Sequence, residues 1–492
     1  MRTFDYYLNL TQEIGYVEKT TSSIVYARGL PKAKPEEIIL FENQALGQVL
    51  SLTQSLTEIL VFSENSIRPG TRAVRTNEIL EIPVGFELLG TVIDPLGYPI
   101  ETSELKKTPK EKRSVNSQAS GILTRKKIKN PLETGVSIVD LVIPLGQGQK
   151  ELIIGDRKTG KTNFLLQSIS TQAKKGNVCV YAAIGKRKIE IKELKDFFKK
   201  HKIADKVVVV ASSPQDPPGA IYLTPYSAMT ISEYFRDAGK DVLLVLDDLS
   251  THAKFYREIS LLAKRFPGRN SYPGDIFYIH AKLLERAGNF ITTKGERSIT
   301  CFPVAQTLQG DLSGYIQTNL MSMTDGHLYF DADLFSKGRR PAINPFLSVT
   351  RVGKQTQSPL KRTINREILS FLTLFEKIQN FTHFGAELNE GVKATLKTGD
   401  KVITFFQQNP SLTIPINAQI ILFAFLWSSI AVRDIDSKDL IEDIDRLIKY
   451  YQRNEKTKKE VDRIVDSAKS FNELLGLVNK LGKDFIKNIV KL

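Results

Sequence analysis

One stretch constrains the chain more than any other: Gly155-Asp-Arg-Lys-Thr-Gly-Lys-Thr162, which fits the pattern G-x-x-x-x-G-K-[ST]. Residues 152–154, Leu-Ile-Ile, read as a short buried strand that delivers the chain into this loop. Gly155 and Gly160 permit backbone geometry that a side chain would block, so successive N–H groups can point at phosphate oxygens. Asp156, Arg157, Lys158 and Thr159 form the rest of the loop, and Asn163 follows it at the start of a helix. That helix brings its positive dipole end to the same anion. Lys161 is placed to reach the β- and γ-phosphates, and the Thr162 hydroxyl to hold Mg²⁺. The competing reading, a chance Gly/Lys turn, does not explain the strand before or the helix after. Such a loop implies that ATP or ADP is bound, and does not by itself imply hydrolysis.

With 492 residues the chain is long enough for roughly two to four domains. A hydrophobic share of 41% and a charged share of 25% are those of a globular protein. The most apolar long stretch, residues 414–432, is interrupted by Pro415, Asn417, Gln419, Ser428 and Ser429 and reads as a buried helix rather than a membrane span. The N-terminus carries no basic segment followed by an apolar one, so no signal peptide is expected. Cys179 and Cys301 lie in apolar, strand-like runs, which points to buried free thiols and a reducing, cytoplasmic setting. The net charge of +15 admits a polyanionic partner. The lysines are spread along the whole chain without an aromatic-interleaved stripe, so they read as solvated surface and no nucleic-acid partner is expected.

The periodicity changes twice along the chain. Short β-like runs at residues 23–27, 38–41, 47–52 and 58–62, with turn signals between them, predict a small β-barrel over 1–80. Residues 87–94 read as a strand entering a turn, and 101–120 as a polar surface loop. Apolar strands at 177–184, 207–211, 242–246, 299–304 and 327–330 alternate with helical stretches and predict an α/β P-loop domain with a mostly parallel sheet over 81–355. Helical periodicity at 360–380, 386–408, 415–432, 436–452 and 456–490 predicts an α-helical domain over 356–492.

Residues 241–248, Asp-Val-Leu-Leu-Val-Leu-Asp-Asp, form an apolar strand ending in carboxylates. Asp247 is the candidate for Mg²⁺ beside Thr162, and Asp248 suits a helix N-cap. A hydrolase also needs a group to orient water. In RecA-like ATPases this is usually a carboxylate at the end of the next core strand. Here that strand runs into Gly185-Lys186-Arg187-Lys188, and the nearest acid, Glu190, falls within a predicted helix. Turnover in this chain's own site is therefore not expected. Residues 347–353, Leu-Ser-Val-Thr-Arg-Val-Gly, are a short apolar run ending in Arg351, which alone reads as a surface residue.

Taken together, these segments resemble the alpha subunits of F-type rotary ATPases. The resemblance rests on Pro131-Leu-Glu-Thr-Gly135, Ile143 through Arg157 with the P-loop, Glu233-Tyr-Phe-Arg-Asp-Ala-Gly239 and Asp247-Asp-Leu-Ser250. It extends through Phe266-Pro-Gly-Arg-Asn-Ser-Tyr-Pro-Gly-Asp275, Leu283-Leu-Glu-Arg-Ala287, Arg340-Pro-Ala-Ile-Asn344 and 348–353. It is dense from about 82 to 355 and thin beyond about 410. It implies a barrel, a RecA-like nucleotide domain and a helical domain. It further implies an alternating three-plus-three ring with catalytic beta-type subunits around a gamma-type central stalk, on the inner face of the cell membrane. By the same resemblance the chain binds Mg-ATP or Mg-ADP without turnover. Arg351 then corresponds to the finger that enters the beta-type site, and Arg340 and Gln408 to residues lining the adenine pocket.

Three departures stand out. Lys158 and Lys186 occupy positions where the family usually has Gln, and barrel-like sequence begins after about a dozen residues instead of an arm of about twenty. The Lys-, Asn- and Ile-rich composition resembles proteins of wall-less bacteria, whose F-like ATPase paralogues include some linked to gliding. The alternative reading is a self-contained homohexameric RecA-like ATPase, such as a Rho-like helicase or an export ATPase.

Overall fold

The computed structural model describes residues 3–63, 66–100, 107–382, 390–430 and 448–490, together with Ile444 and Arg446. Six antiparallel strands open the fold: β1 (Gly15–Thr21), β2 (Ile24–Arg28), β3 (Glu37–Phe41), β4 (Leu46–Leu52), β5 (Thr57–Val61) and β6 (Arg72–Ile79). They close in the order β1-β2-β5-β4-β3-β6, with β1 pairing β6 to seal the barrel. Val25, Ile39, Phe41, Val49 and Ile59 fill its interior. Every residue of β3 is buried, because its outward face is covered as well. Leu40 on that face packs with Val74 under Phe4 and Tyr7 of the helix Phe4–Thr11. That helix begins at Thr3, whose hydroxyl accepts the Tyr6 N–H. Burying side chains of this size contributes roughly 1.5–3 kcal/mol each. The short lead-in expected from the sequence is thus one helical cap on the barrel.

The chain then runs through β7 (Glu81–Val84), β8 (Val92–Ile93), β9 (Glu111–Ser114), β10 (Pro131–Leu132) and β11 (Leu145–Gly146). β7 pairs with β9 and β10 with β11. Two expectations change here. The strand predicted over 87–94 is reduced to β8, since residues 86–88 form a 3-10 turn and Gly90 adopts φ +82°. Part of the predicted polar loop is the strand β9, where Arg113 is held by both Glu111 and Asp237. Residues 101–106 lie outside the described residues.

The central sheet is built from β8 with β12 (Glu151–Gly155), β13 (Val178–Ala183), β14 (Val207–Ala211), β15 (Val242–Asp247), β16 (Gly288–Thr292), β17 (Gly295–Gln306), β18 (Gly326–Phe330) and β19 (Val349–Thr350). Its order is β19-β18-β12-β17-β15-β13-β14-β8, with β16 hydrogen-bonded to β17 off this path. All neighbours along that path are parallel except β19, which runs antiparallel to β18. β13, β14 and β15 are buried along their whole length, as a parallel sheet covered on both faces requires. Cys179 and Cys301 are free thiols buried in β13 and β17.

The C-terminal part is helical: Pro359–Thr382, Glu390–Phe406, Ile416–Ile430, Glu455–Ser467 and Phe471–Val490. The apolar helix Ile416–Ile430 is a core element, with Phe423 stacked on Phe471 at 5.7 Å between ring centroids. No helix among the described residues is long and apolar enough to cross a membrane. The single helix predicted over 456–490 is two. Ala468 is extended, the Ser470 hydroxyl accepts the Glu473 N–H, and the Glu473 carboxylate accepts the Lys469 N–H, so a reciprocal cap restarts the helix. The helix predicted over 436–452 lies mostly outside the described residues. Ile138, Val142, Ile364 and Ile420 join one face of the sheet and the helices in a single core.

Candidate nucleotide-binding site

The P-loop leaves β12 through Gly155, whose φ is +155° and whose α-carbon lies against the Phe330 carbonyl. Gly160 adopts φ +96° with open space around it, and Lys158 also sits in the left-handed region at φ +63°. The helix Lys161–Lys174 starts directly after Gly160 with no side chain capping it, which leaves its first amides for an anion. The Lys161 ammonium donates to the Gly155 carbonyl at 2.7 Å and the Asp156 carbonyl at 2.5 Å, so the lysine is folded over the loop. Burial pulls this ammonium down to about 8, against the opposing pull of Asp247 and Asp248.

The other loop residues divide into scaffold and surface. The Asp156 carboxylate accepts the Thr307 hydroxyl at 2.5 Å and the Gly310 N–H at 3.1 Å, tying the loop to the segment that leaves β17. Thr159 is buried, and its hydroxyl donates back to the Asp156 carbonyl at 2.8 Å. Arg157 donates to the Gln306 amide oxygen at 2.9 Å. Lys158, Thr162 and Asn163 are exposed.

Asp247 ends β15 beside this loop, and both of its oxygens are engaged. The Tyr181 hydroxyl donates to Oδ2 at 2.6 Å, and the Lys186 ammonium donates to Oδ1 at 2.8 Å. Lys186 also lies 3.7 Å from Asp248 Oδ2. Burial draws the Lys186 ammonium down, and the charges of Asp247 and Asp248 more than offset it, so it stays above its ordinary value. Asp248 is the N-cap of the helix Leu249–Leu262, accepting the Thr251 N–H at 2.6 Å, and it holds the Gln306 amide at 2.7 Å. Thr162 is the second residue of the P-loop helix, and its side chain is exposed. The donor set as a whole does not suit a divalent cation, because an ammonium already stands on the carboxylate oxygen that would face it. Glu190, the nearest acid after β13, accepts the Arg187 N–H at 3.0 Å as a helix cap.

Gln408 and Arg340 come together: the Gln408 N–H donates to the Arg340 carbonyl at 2.7 Å. The guanidinium of Arg340 lies 3.4 Å from the Phe335 ring centroid and donates to the Phe335 and Arg339 carbonyls. The Gln408 amide donates to the carbonyls of Gly135 and Leu412 at 2.7 Å each, and its oxygen accepts the Ser137 N–H at 3.1 Å. With both amide hydrogens used, Gln408 is a buried brace between Gly135, Ser137 and Leu412. Gln167 of the P-loop helix donates to the carbonyls of Asn409 and Leu412 and ties this segment to that helix.

Arg351 is elsewhere. β19 pairs with β18 through Gly326–Thr350, and Gly326 is also opposite Glu151, the first residue of β12. Arg351 therefore follows β19 at the end of the sheet where β12 begins, two strands across from it, and the P-loop leaves the other end of β12, four residues or roughly 13 Å further along the strand direction. Its side chain is exposed. Gly353 follows because a side chain there would strike the Pro144 carbonyl, a close approach rather than a turn.

The family profile described as ATP synthase alpha/beta family, nucleotide-binding domain, matches residues 135–350. The profile described as ATP synthase alpha/beta chain, C terminal domain, matches 357–481. An ATP synthase subunit alpha from Lactobacillus johnsonii is 36% identical over 495 residues, covering 98% of this chain and 97% of the relative. The chain belongs to the ATP synthase alpha subunit family. Relatives of the same name from Neorickettsia sennetsu, 39% identical over 84% of this chain and 82% of the relative, and from Lactobacillus delbrueckii subsp. bulgaricus, 37% identical over 86% and 85%, agree. Against that family, the sequence reading missed the residues that act through others: Tyr181, Gln306, Gln167 and Ser137. Their partners lie 58 to 271 positions away in the sequence, and the order of strands and helices in the fold, not local pattern, is the signal that pairs them.

Proposed function

We propose that this chain is a non-catalytic, nucleotide-binding subunit of a rotary ATPase ring. It binds ATP or ADP at the P-loop and lends Arg351 to the catalytic site of a beta-type neighbour. The observation that carries the reading is the end of β13, where Lys186 is bonded to Asp247 and no carboxylate is placed to take a proton from water. The position of Arg351 supports the second half, since this exposed arginine lies at the end of the sheet away from this chain's own P-loop and is open to a neighbour. Thr162 and Asp247 hold the positions from which such a subunit would face Mg²⁺, with Lys186 already on the second. Beta-type subunits would alternate with it around a gamma-type stalk, at the cytoplasmic face of a membrane carrying the remaining machinery.

The test is direct. The purified full-length chain should bind ATP or ADP and hydrolyse ATP negligibly, and co-expression with a beta-type partner should give a three-plus-three ring by native mass spectrometry. A stable homohexamer with sustained turnover would favour the homohexameric motor instead.

A further inference from the structure

Lys186 stands on Asp247, the carboxylate singled out above for Mg²⁺. Its ammonium lies 2.8 Å from Asp247 Oδ1 and reaches Asp248 Oδ2 at 3.7 Å, and its side chain is 19% exposed. The geometry is built, not incidental. The Lys186 N–H donates to the Ser212 carbonyl at 2.9 Å, which fixes the turn after β13. Asp247 is held from its other side by Tyr181. β13 and β15 pair in parallel through Ala183–Asp247, and the Ile184 N–H donates to the Asp247 carbonyl at 2.8 Å, so the lysine leaves the sheet beside the carboxylate.

The local charge explains what this does. Asp247 and Asp248 bring two negative charges, and Lys161 alone would leave an excess of one facing the triphosphate. A P-loop site of that kind needs a divalent cation to let carboxylate and phosphate share one space. With Lys186, the carboxylates of Asp247 and Asp248 face two ammonium groups, Lys161 and Lys186. We infer that Lys186 is a built-in counter-ion that takes the place of Mg²⁺, so that this site accepts metal-free ATP or ADP.

This rests on the nucleotide-binding reading above and is separable from it. Binding of ADP to the full-length chain is measured by titration calorimetry in millimolar Mg²⁺ and in EDTA. The inference predicts dissociation constants within about threefold of each other in the two media. Lys186→Gln should restore metal dependence, binding at least about tenfold more weakly in EDTA than in Mg²⁺. A wild-type chain that loses about tenfold or more in EDTA would overturn the inference while leaving nucleotide binding intact. So would Lys186→Gln behaving like wild type in both media. No ADP binding in either medium would overturn the nucleotide-binding reading and this one together.

Discussion

Gly155 lies opposite Phe330 in the β12–β18 pairing, so close that a methyl group on its α-carbon would run into the Phe330 carbonyl. The clash is with backbone, which has no rotamer to change, and φ of +155° adds strain for any larger residue. Gly155→Ala should therefore cost roughly 1–3 kcal/mol of stability and distort the phosphate cradle. A fall in Tm together with loss of ADP binding is the expected outcome. Retained affinity would mean the loop tolerates a shifted β12.

Arg351 tests the neighbour's chemistry. An arginine finger stabilises charge on the transferring phosphoryl group through a planar, always-protonated fork, and is worth about 10³–10⁵ in rate. In an assembled ring with a beta-type partner, Arg351→Ala should remove most ATP hydrolysis. Ring assembly and ADP binding at this chain's own site should persist, since Arg351 is at the other end of β12. Arg351→Lys should rescue poorly, because a point charge does not reproduce the fork. Steady-state hydrolysis within about threefold of wild type would remove the finger role.

Gln408 separates the two ends of the ligand. Its amide joins Gly135, Ser137 and Leu412, and Gln408→Ala leaves those groups unpaired inside the fold. Affinity for ADP should drop by about tenfold, equivalent to about 1.4 kcal/mol, while affinity for pyrophosphate is unchanged. An equal loss for both ligands would place the damage in the phosphate cradle instead.

Asp94 gives a pH signature away from the site. It closes the turn after β8, its carboxylate accepts the Leu96 and Tyr98 N–H groups, and burial raises it to about 6. A raised carboxylate favours folding while protonated. The contribution is complete below the unfolded value near 4 and is lost as pH rises through about 6. Asp94→Asn keeps the acceptor and removes the titration. Its Tm should vary less than that of wild type between pH 4 and 7, a difference of up to about 3 kcal/mol in stability.

Much of this architecture was legible because the signals are local. The P-loop, the apolar runs of β12 to β15, β17 and β18, and the N-cap role of Asp248 each sit within a few residues of the pattern that reveals them. The Lys186–Asp247 ion pair was not. The two residues are 61 positions apart, and they meet because β13 and β15 are neighbours, a fact of strand order. Gln408 was found through family resemblance alone, and its role as a brace for Gly135 and Leu412 comes from folding the helical part back on the P-loop helix. The break at residues 468–470 escaped because Ala468, Lys469 and Ser470 do not disturb the apolar periodicity on either side.

The P-loop and Arg351 share one rod. β12 carries the first at its tip and, through β18 and β19, the second at its base, with Asp156 bolted to Thr307 and Gly310 along the way. A set of hydrogen-bonded strands resists bending between its ends. If Arg351 serves a neighbouring chain as proposed, a tilt of the cradle would swing that arginine with it and put the two chains' sites mechanically in series.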